Sequence, residues 1–176
     1  GGLVTVNGKP AIDFDGVDNY FDFDTAHNFN LDPSSPSNPC NTIMFVGQND
    51  DGNRSFLGKL GQTKNWIGNP YVGRYQLRDN GANIYDTGTD AIVGSQYIAS
   101  IQCPSEDNFS IRENGSALTL GGTNNITTNI ILEDMGAGYT ANYQTMKAQE
   151  FYFHNERLTN DIVDIENDAI NYYNIS

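Results

Sequence analysis

A chain of 176 residues is the length of one domain and can bury a sizeable core without help. Its 9 Lys and Arg against 22 Asp and Glu leave a formal net charge of −13, which argues against nucleic acid or an anionic lipid surface as partner, because no basic stripe offsets the repulsion. No run approaches the roughly 18 apolar residues that a membrane helix needs, so no membrane insertion is expected.

In chain order, Gly1-Gly2 opens without an initiator Met or a signal segment, as in an excised piece of a longer precursor. Strands are predicted at 11–14 and 20–23. Ile12 and Phe14 face inward there with Asp13 and Asp15 outward, residues 16–19 turn, and Phe21 and Phe23 face inward with Asp22 and Asp24 outward. Residues 32–39 hold three prolines and cannot enter a sheet interior, so they read as a surface loop. Strands follow at 42–47, 54–59, 73–78, 82–85, 96–102, 109–113, 129–133 and 146–154. Asn-Gly and Asp-Gly turn signals (Asn7-Gly8, Asp51-Gly52, Asn80-Gly81, Asn114-Gly115) punctuate them. In the last strand Phe151 and Phe153 point one way, and Glu150, Tyr152 and His154 the other. One helix is predicted over 159–173, with Ile162, Ile165, Ala169, Ile170 and Tyr173 on its apolar stripe and Thr159 as N-cap. This rhythm specifies an all-β, two-sheet antiparallel sandwich over residues 1–176, closed by one short C-terminal helix.

Two segments carry a resemblance. GKPAIDFDGVDNYFDFD (8–24) resembles the opening of laminin G-like, concanavalin A-like jelly-roll modules, and AQEFYFHNERLTNDIVDIENDAINYYNIS (148–176) resembles their closing strand and helix. Between them, TIMFVGQ and QYIASIQ stand where the family places two core strands. The closing Asn-Tyr-Tyr-Asn-Ile is similar to module ends in tailed-phage structural proteins and in secreted proteins of marine bacteria. The resemblance covers nearly the whole chain, and such modules usually begin with a further strand upstream of Gly1. It implies an extracellular or virion-surface setting, and its motifs specify fold far better than ligand.

Chemistry is sparse. Laminarinase-type glucanases share the sandwich and carry Glu-x-Asp-x-x-Glu on one strand. None of the six Glu completes that pattern; the nearest match, Glu166-Asn-Asp168, lies on the predicted helix. There is no Gly-x-Ser-x-Gly elbow and no phosphate loop, so no catalytic residue is assigned. His27 and His154 are the only histidines and there is no CxxC, which leaves zinc few ligands. Asp15, Asp18, Asp22 and Asp24 crowd one hairpin and offer the hard oxygens that calcium takes, although a turn needs Asp for its own geometry. If strands 42–47 and 96–102 are antiparallel neighbours, Cys40 and Cys103 lie within disulfide reach; two free thiols are the alternative. The middle of the chain gathers Trp66, Tyr71, Arg74, Tyr75 and Arg78, an aromatic and guanidinium set suited to stacking on and bonding a sugar. Trp66 falls in a loop-like stretch, 61–70. The function expected is a non-catalytic recognition or adhesion module directed to glycans or cell-surface polysaccharide. A structural decoration whose faces contact virion proteins or further copies is the alternative, and a glycoside hydrolase comes third.

Overall fold

In the computed structural model the strands run, in order, β1 (Gly2–Val6), β2 (Lys9–Asp15), β3 (Phe21–Phe29), β4 (Pro39–Cys40), β5 (Thr42–Asn49), β6 (Ser55–Gly58), β7 (Trp66–Gly68) and β8 (Arg74–Arg78). They continue with β9 (Ile84–Asp90), β10 (Gln96–Ser105), β11 (Asn108–Glu113), β12 (Ser116–Ala117), β13 (Ile130–Met135), β14 (Ala137–Gly138), β15 (Asn142–Tyr143) and β16 (Thr145–His154), before α1 (Ile162–Tyr173). The structure describes residues 1–29, 39–51, 55–64, 66–68, 74–81, 84–90, 92–105, 108–119, 129–138, 142–156, 158 and 160–176. At residues 28, 39, 40, 55, 66, 74, 84–86, 89, 90, 103–105, 108 and 142 it describes the backbone alone.

Two sheets form the layers. One has the order β1-β2-β16-β5-β10-β11-β12 and the other β4-β3-β13-β6-β7-β8-β9, while β14 and β15 make a small separate ribbon. Between the layers lies a core that includes Phe14, Phe29, Phe45, Phe56, Ile67, Leu77, Tyr97, Phe109 and Leu132. Phe45 stacks on Phe56 across it, with ring centroids 5.3 Å apart.

The run Thr42-Ile-Met-Phe-Val has no polar alternation because β5 is covered on both faces. Ile43 and Phe45 enter the core between the sheets. Met44 and Val46 turn to the other face and meet Ile98, Ile162 and Ile175, so α1 packs on the outside of the first sheet. The predicted apolar stripe docks the helix: Ile162 is buried, and Ile165, Ala169, Ile170 and Tyr173 pack against the same cluster. Arg112 on β11 adds an ion pair, its Nε donating to both Glu166 oxygens at 3.0 and 2.8 Å. Asn174 closes the helix in the left-handed conformation (φ 55°), its N–H donating to the Ile170 carbonyl.

Several expectations are corrected. The helix begins three residues later than predicted, with Asp161 as N-cap and no side-chain capping bond; Thr159 lies outside the described residues. Ile12 is 38% exposed and Phe21 43%, although both were expected inward. The core reaches Phe14 on β2 and Phe23 on β3 but stops short of these two. The segment 61–70 is not all loop, because Trp66–Gly68 pairs with β6 on one side and β8 on the other. Strand β16 carries a bulge at Gln149, where the register to β5 shifts between Ala148 and Glu150. The extra residue changes the parity, so Met146 and Ala148 before it and Phe151 and Phe153 after it all face the core.

The turns follow their sequence signals. Asn7 and Gly8 (φ 47° and 74°) and Asn114 and Gly115 (φ 47° and 78°) take two successive positive φ values, the geometry of tight hairpins.

Candidate functional site

The middle of the chain forms consecutive strands of the second sheet, and their register sets a row of residues across it. Asp22 pairs with Asp134, Asp134 with Gly58, Gly58 with Trp66, Trp66 with Arg78 and Arg78 with Ile84. Residues paired in this way share a face of the sheet. A second row joins Gly68, Gln76 and Asp86, and Arg74 pairs with Asp90. Trp66 therefore stands next to Gly58 across the sheet and two residues from Gly68 along its strand. Both neighbours are glycines and contribute no side chain to this face.

The two faces of this sheet separate the sugar-site candidates. Ile67, Tyr75 and Leu77 belong to the core, and Trp66, Gln76 and Arg78 occupy the alternate positions. Tyr75 is thus removed from the ligand set: it is 1% exposed, and its hydroxyl donates to Glu113 Oε2 at 2.6 Å. Burial pushes its phenol pKa well up, and the Tyr97 and Glu113 charges add to that. The same buried network continues through Tyr97, whose hydroxyl accepts from Asn49 Nδ2 at 2.6 Å. Arg78 is half-buried. For Trp66 and Arg74 the strand positions are described but not the side chains, and Tyr71 lies outside the described residues.

At the β3 end of the row, Asp134 is buried and accepts the Leu60 N–H at 2.6 Å. Burial raises its pKa, the Leu60 bond opposes that, and the Asp22 and Glu133 charges reinforce it. Glu133 itself pairs with Lys59 at 2.5 Å.

The calcium set does not converge. Among the described residues no three or more His, Cys, Asp or Glu side chains are gathered so as to hold a metal ion. Asp15 serves the turn instead, accepting from Val17 N–H at 2.9 Å. Bonds from Asn19 and then Val17 hold its carboxyl well below the usual range. Asp18, Asp22 and Asp24 are exposed. Strands β5 and β10 are antiparallel neighbours, as expected, with Gln102 opposite Thr42, but Cys40 stands just before β5 on β4, paired with Phe29 in the second sheet, while Cys103 lies on β10 of the first. The side chains of both cysteines lie outside the description.

A second concavity was not anticipated. Between α1 and the outer face of the first sheet lies a cavity of about 230 Å³ lined by Met44, Val46, Glu150, Tyr152, Ile165 and Ala169. It adjoins a more open hollow of about 400 Å³ that shares Glu150, Ile165 and Ala169 and adds Asp168, Tyr172 and Tyr173. The Tyr173 hydroxyl donates to Glu150 Oε2 at 3.2 Å, and burial followed by the Glu150 charge pushes the phenol up to about 12. The outward set Glu150, Tyr152 and His154 was legible in the alternation of β16. Its approach to a helix edge some twenty residues later was not.

Comparison with known proteins yields fold and no family. No family model matches the chain, and no curated protein matches it. Among known structures, a heptameric SAP-like pentraxin from Limulus polyphemus superposes with a TM-score of 0.56 at 11% identity, covering 91% of this chain and 82% of that one. Domain 4 of AbnA, an extracellular arabinanase from Geobacillus stearothermophilus in complex with arabinotriose, gives 0.55 at 13%, covering 93% and 75%. The binding domain of Paraclostridial Mosquitocidal Protein 1 gives 0.50 at 11%, covering 97% and 46%. The chain is therefore an all-β jelly-roll sandwich of two antiparallel sheets with one C-terminal helix, similar in fold to these proteins.

Proposed function

We propose that this chain is a non-catalytic recognition module of the laminin G-like kind, presented on an extracellular or virion surface, and that it binds glycan across the second sheet. The observation that carries this reading is the transverse row that sets Trp66 between Gly58 and Arg78, with Gly68 two residues along its own strand. An indole plane beside side-chain-free positions suits stacking against a sugar ring. The guanidinium of half-buried Arg78, paired with Trp66, supplies donors for its hydroxyls. The row lies on the layer opposite α1, so a glycan there leaves the helix face free. The arabinanase domain solved with arabinotriose supports the reading, since a domain of the same fold occurs in complex with an oligosaccharide.

A glycan array, followed by binding measurements on the best ligand, tests this. Trp66→Ala is expected to abolish binding while leaving the melting temperature nearly unchanged, and Arg78→Ala to weaken it roughly tenfold. Affinity for one sugar unit is expected to be weak, with useful avidity arising from many copies on one surface. If Trp66→Ala unfolds the domain, the indole is a core element and the glycan reading fails.

A further inference from the structure

The hollow under α1 has a consistent electrostatic character that the glycan reading does not use. Its floor is apolar, formed by Met44, Val46, Ile165 and Ala169. Its charged lining is acidic, Glu150 and Asp168, and the basic side chain of Lys9 stands at the rim, over the Tyr172 ring. Tyr152, Tyr172 and Tyr173 contribute aromatic surface. Tyr152 is 38% and Tyr172 60% exposed, so two of the rings reach solvent.

The helix adds to this field. The open part lies along its C-terminal half, at Asp168, Ala169, Tyr172 and Tyr173. A helix C-terminus carries partial negative charge, usually met by Lys, Arg or His in the last turn. The last turn of α1 has no basic residue. One cation already uses the aromatic rim: Lys9 Nζ stands 3.7 Å from the centre of the Tyr172 ring. An apolar floor beneath an acidic, tyrosine-edged mouth is the environment in which a cation on an aliphatic stem is desolvated at least cost, stem inward and charge at the rim.

We propose that this hollow is a binding site for a small organic ammonium ion with an aliphatic stem. The stem lies over Ile165, Ala169, Met44 and Val46, and the ammonium sits between Glu150, Asp168 and the tyrosine rings. The site is on the sheet opposite the Trp66 row, so it is independent of the glycan reading.

The test is a charge series on the intact chain: hexyltrimethylammonium, hexan-1-ol and hexanoate, titrated by calorimetry and by NMR. The ammonium is expected to bind at least about tenfold more tightly than the alcohol, hexanoate more weakly still, and binding to weaken with added salt. Shifts should centre on Ile165, Ala169 and the three tyrosines. Glu150→Gln combined with Asp168→Asn is expected to reduce ammonium affinity by roughly tenfold and leave the alcohol unchanged. Melting curves establish that the double variant is folded; if it is not, the series on the unaltered chain decides alone. Nα-acetyl-lysine methylamide is the second arm: binding shows that a protein lysine can also supply the group, and its failure beside a bound alkylammonium assigns the site to free amines. Equal affinity for ammonium and alcohol, or shifts mapping elsewhere, overturns the proposal.

Discussion

Two groups withdrawn from solvent, buried Asp134 and half-buried His27, respond to pH in opposite senses. Asp134 has a pKa raised above its ordinary 3.8, chiefly by burial, so the fold holds its proton more tightly than the unfolded chain does. Its contribution to stability is present in full below 3.8 and is lost as pH rises through the folded value. Asp134→Asn keeps an acceptor for Leu60 N–H and removes the charge; it is expected to melt higher than the native chain near neutrality, with the gap closing toward about pH 4. His27 works the other way. It stacks on Phe153 with ring centroids 4.5 Å apart, and burial lowers its pKa from 6.5. Its contribution is present above 6.5 and lost as pH falls through the folded value. His27→Phe retains the stack and is expected to flatten the melting profile between neutrality and mild acid. Thermal scans across this range check both, and a profile unaffected by either change would place both groups in water.

At the scale of the element, α1 is held, among the described residues, by its apolar stripe, the Arg112–Glu166 ion pair and the Tyr173–Glu150 hydrogen bond. Ile162 is 3% exposed, so Ile162→Asp places an unpaired charge against Met44, Val46 and Ile98. A loss of about 3 kcal/mol is expected. Glu166 is 1% exposed, and Glu166→Ala leaves Arg112 without its partner at a similar cost of about 3 kcal/mol. Chemical denaturation measures both; unchanged midpoints would mean the helix is not docked. This element was legible in advance because helical spacing in 162–173 shows its stripe directly. Its start was not, since N-capping depends on the backbone entering the helix. The Gln149 bulge was equally hidden: alternation reads correctly on either side of it, and only pairing with β5 shows that a residue has been inserted.

For the whole molecule, the same architecture serves binding domains and enzymes, so catalysis is decided by where the carboxylates go. Here four of the described glutamates have partners: Glu113 with Tyr75, Glu133 with Lys59, Glu150 with Tyr173 and Glu166 with Arg112. A retaining glycosidase needs two carboxyls about 5–5.5 Å apart and free to act on one bond. Incubation with laminarin, agarose, carrageenan or xylan is therefore expected to release no reducing ends above a blank. Reproducible turnover lost on changing one carboxylate would identify an enzyme instead.

Local patterns in the chain determined the two-sheet sandwich, most of its strands and the closing helix, because alternation, turn glycines and helical spacing are properties of neighbouring residues. They also placed the sugar-suited residue types in the middle segment. Tertiary structure alone decided that Tyr75 belongs to the core: it is 1% exposed, and its strand position alternates with Gln76 and Arg78, which pair with Gly68 and Trp66 on the other face of the sheet. Among the described residues it gathered no three of the clustered aspartates into a metal-holding group, and it brought Glu150 to Tyr173 across twenty-three positions. The physical reason is common to all three. A composition fixes what a site can be made of, but strand register and helix docking are long-range pairings, and they set which side chains share a face and which are covered.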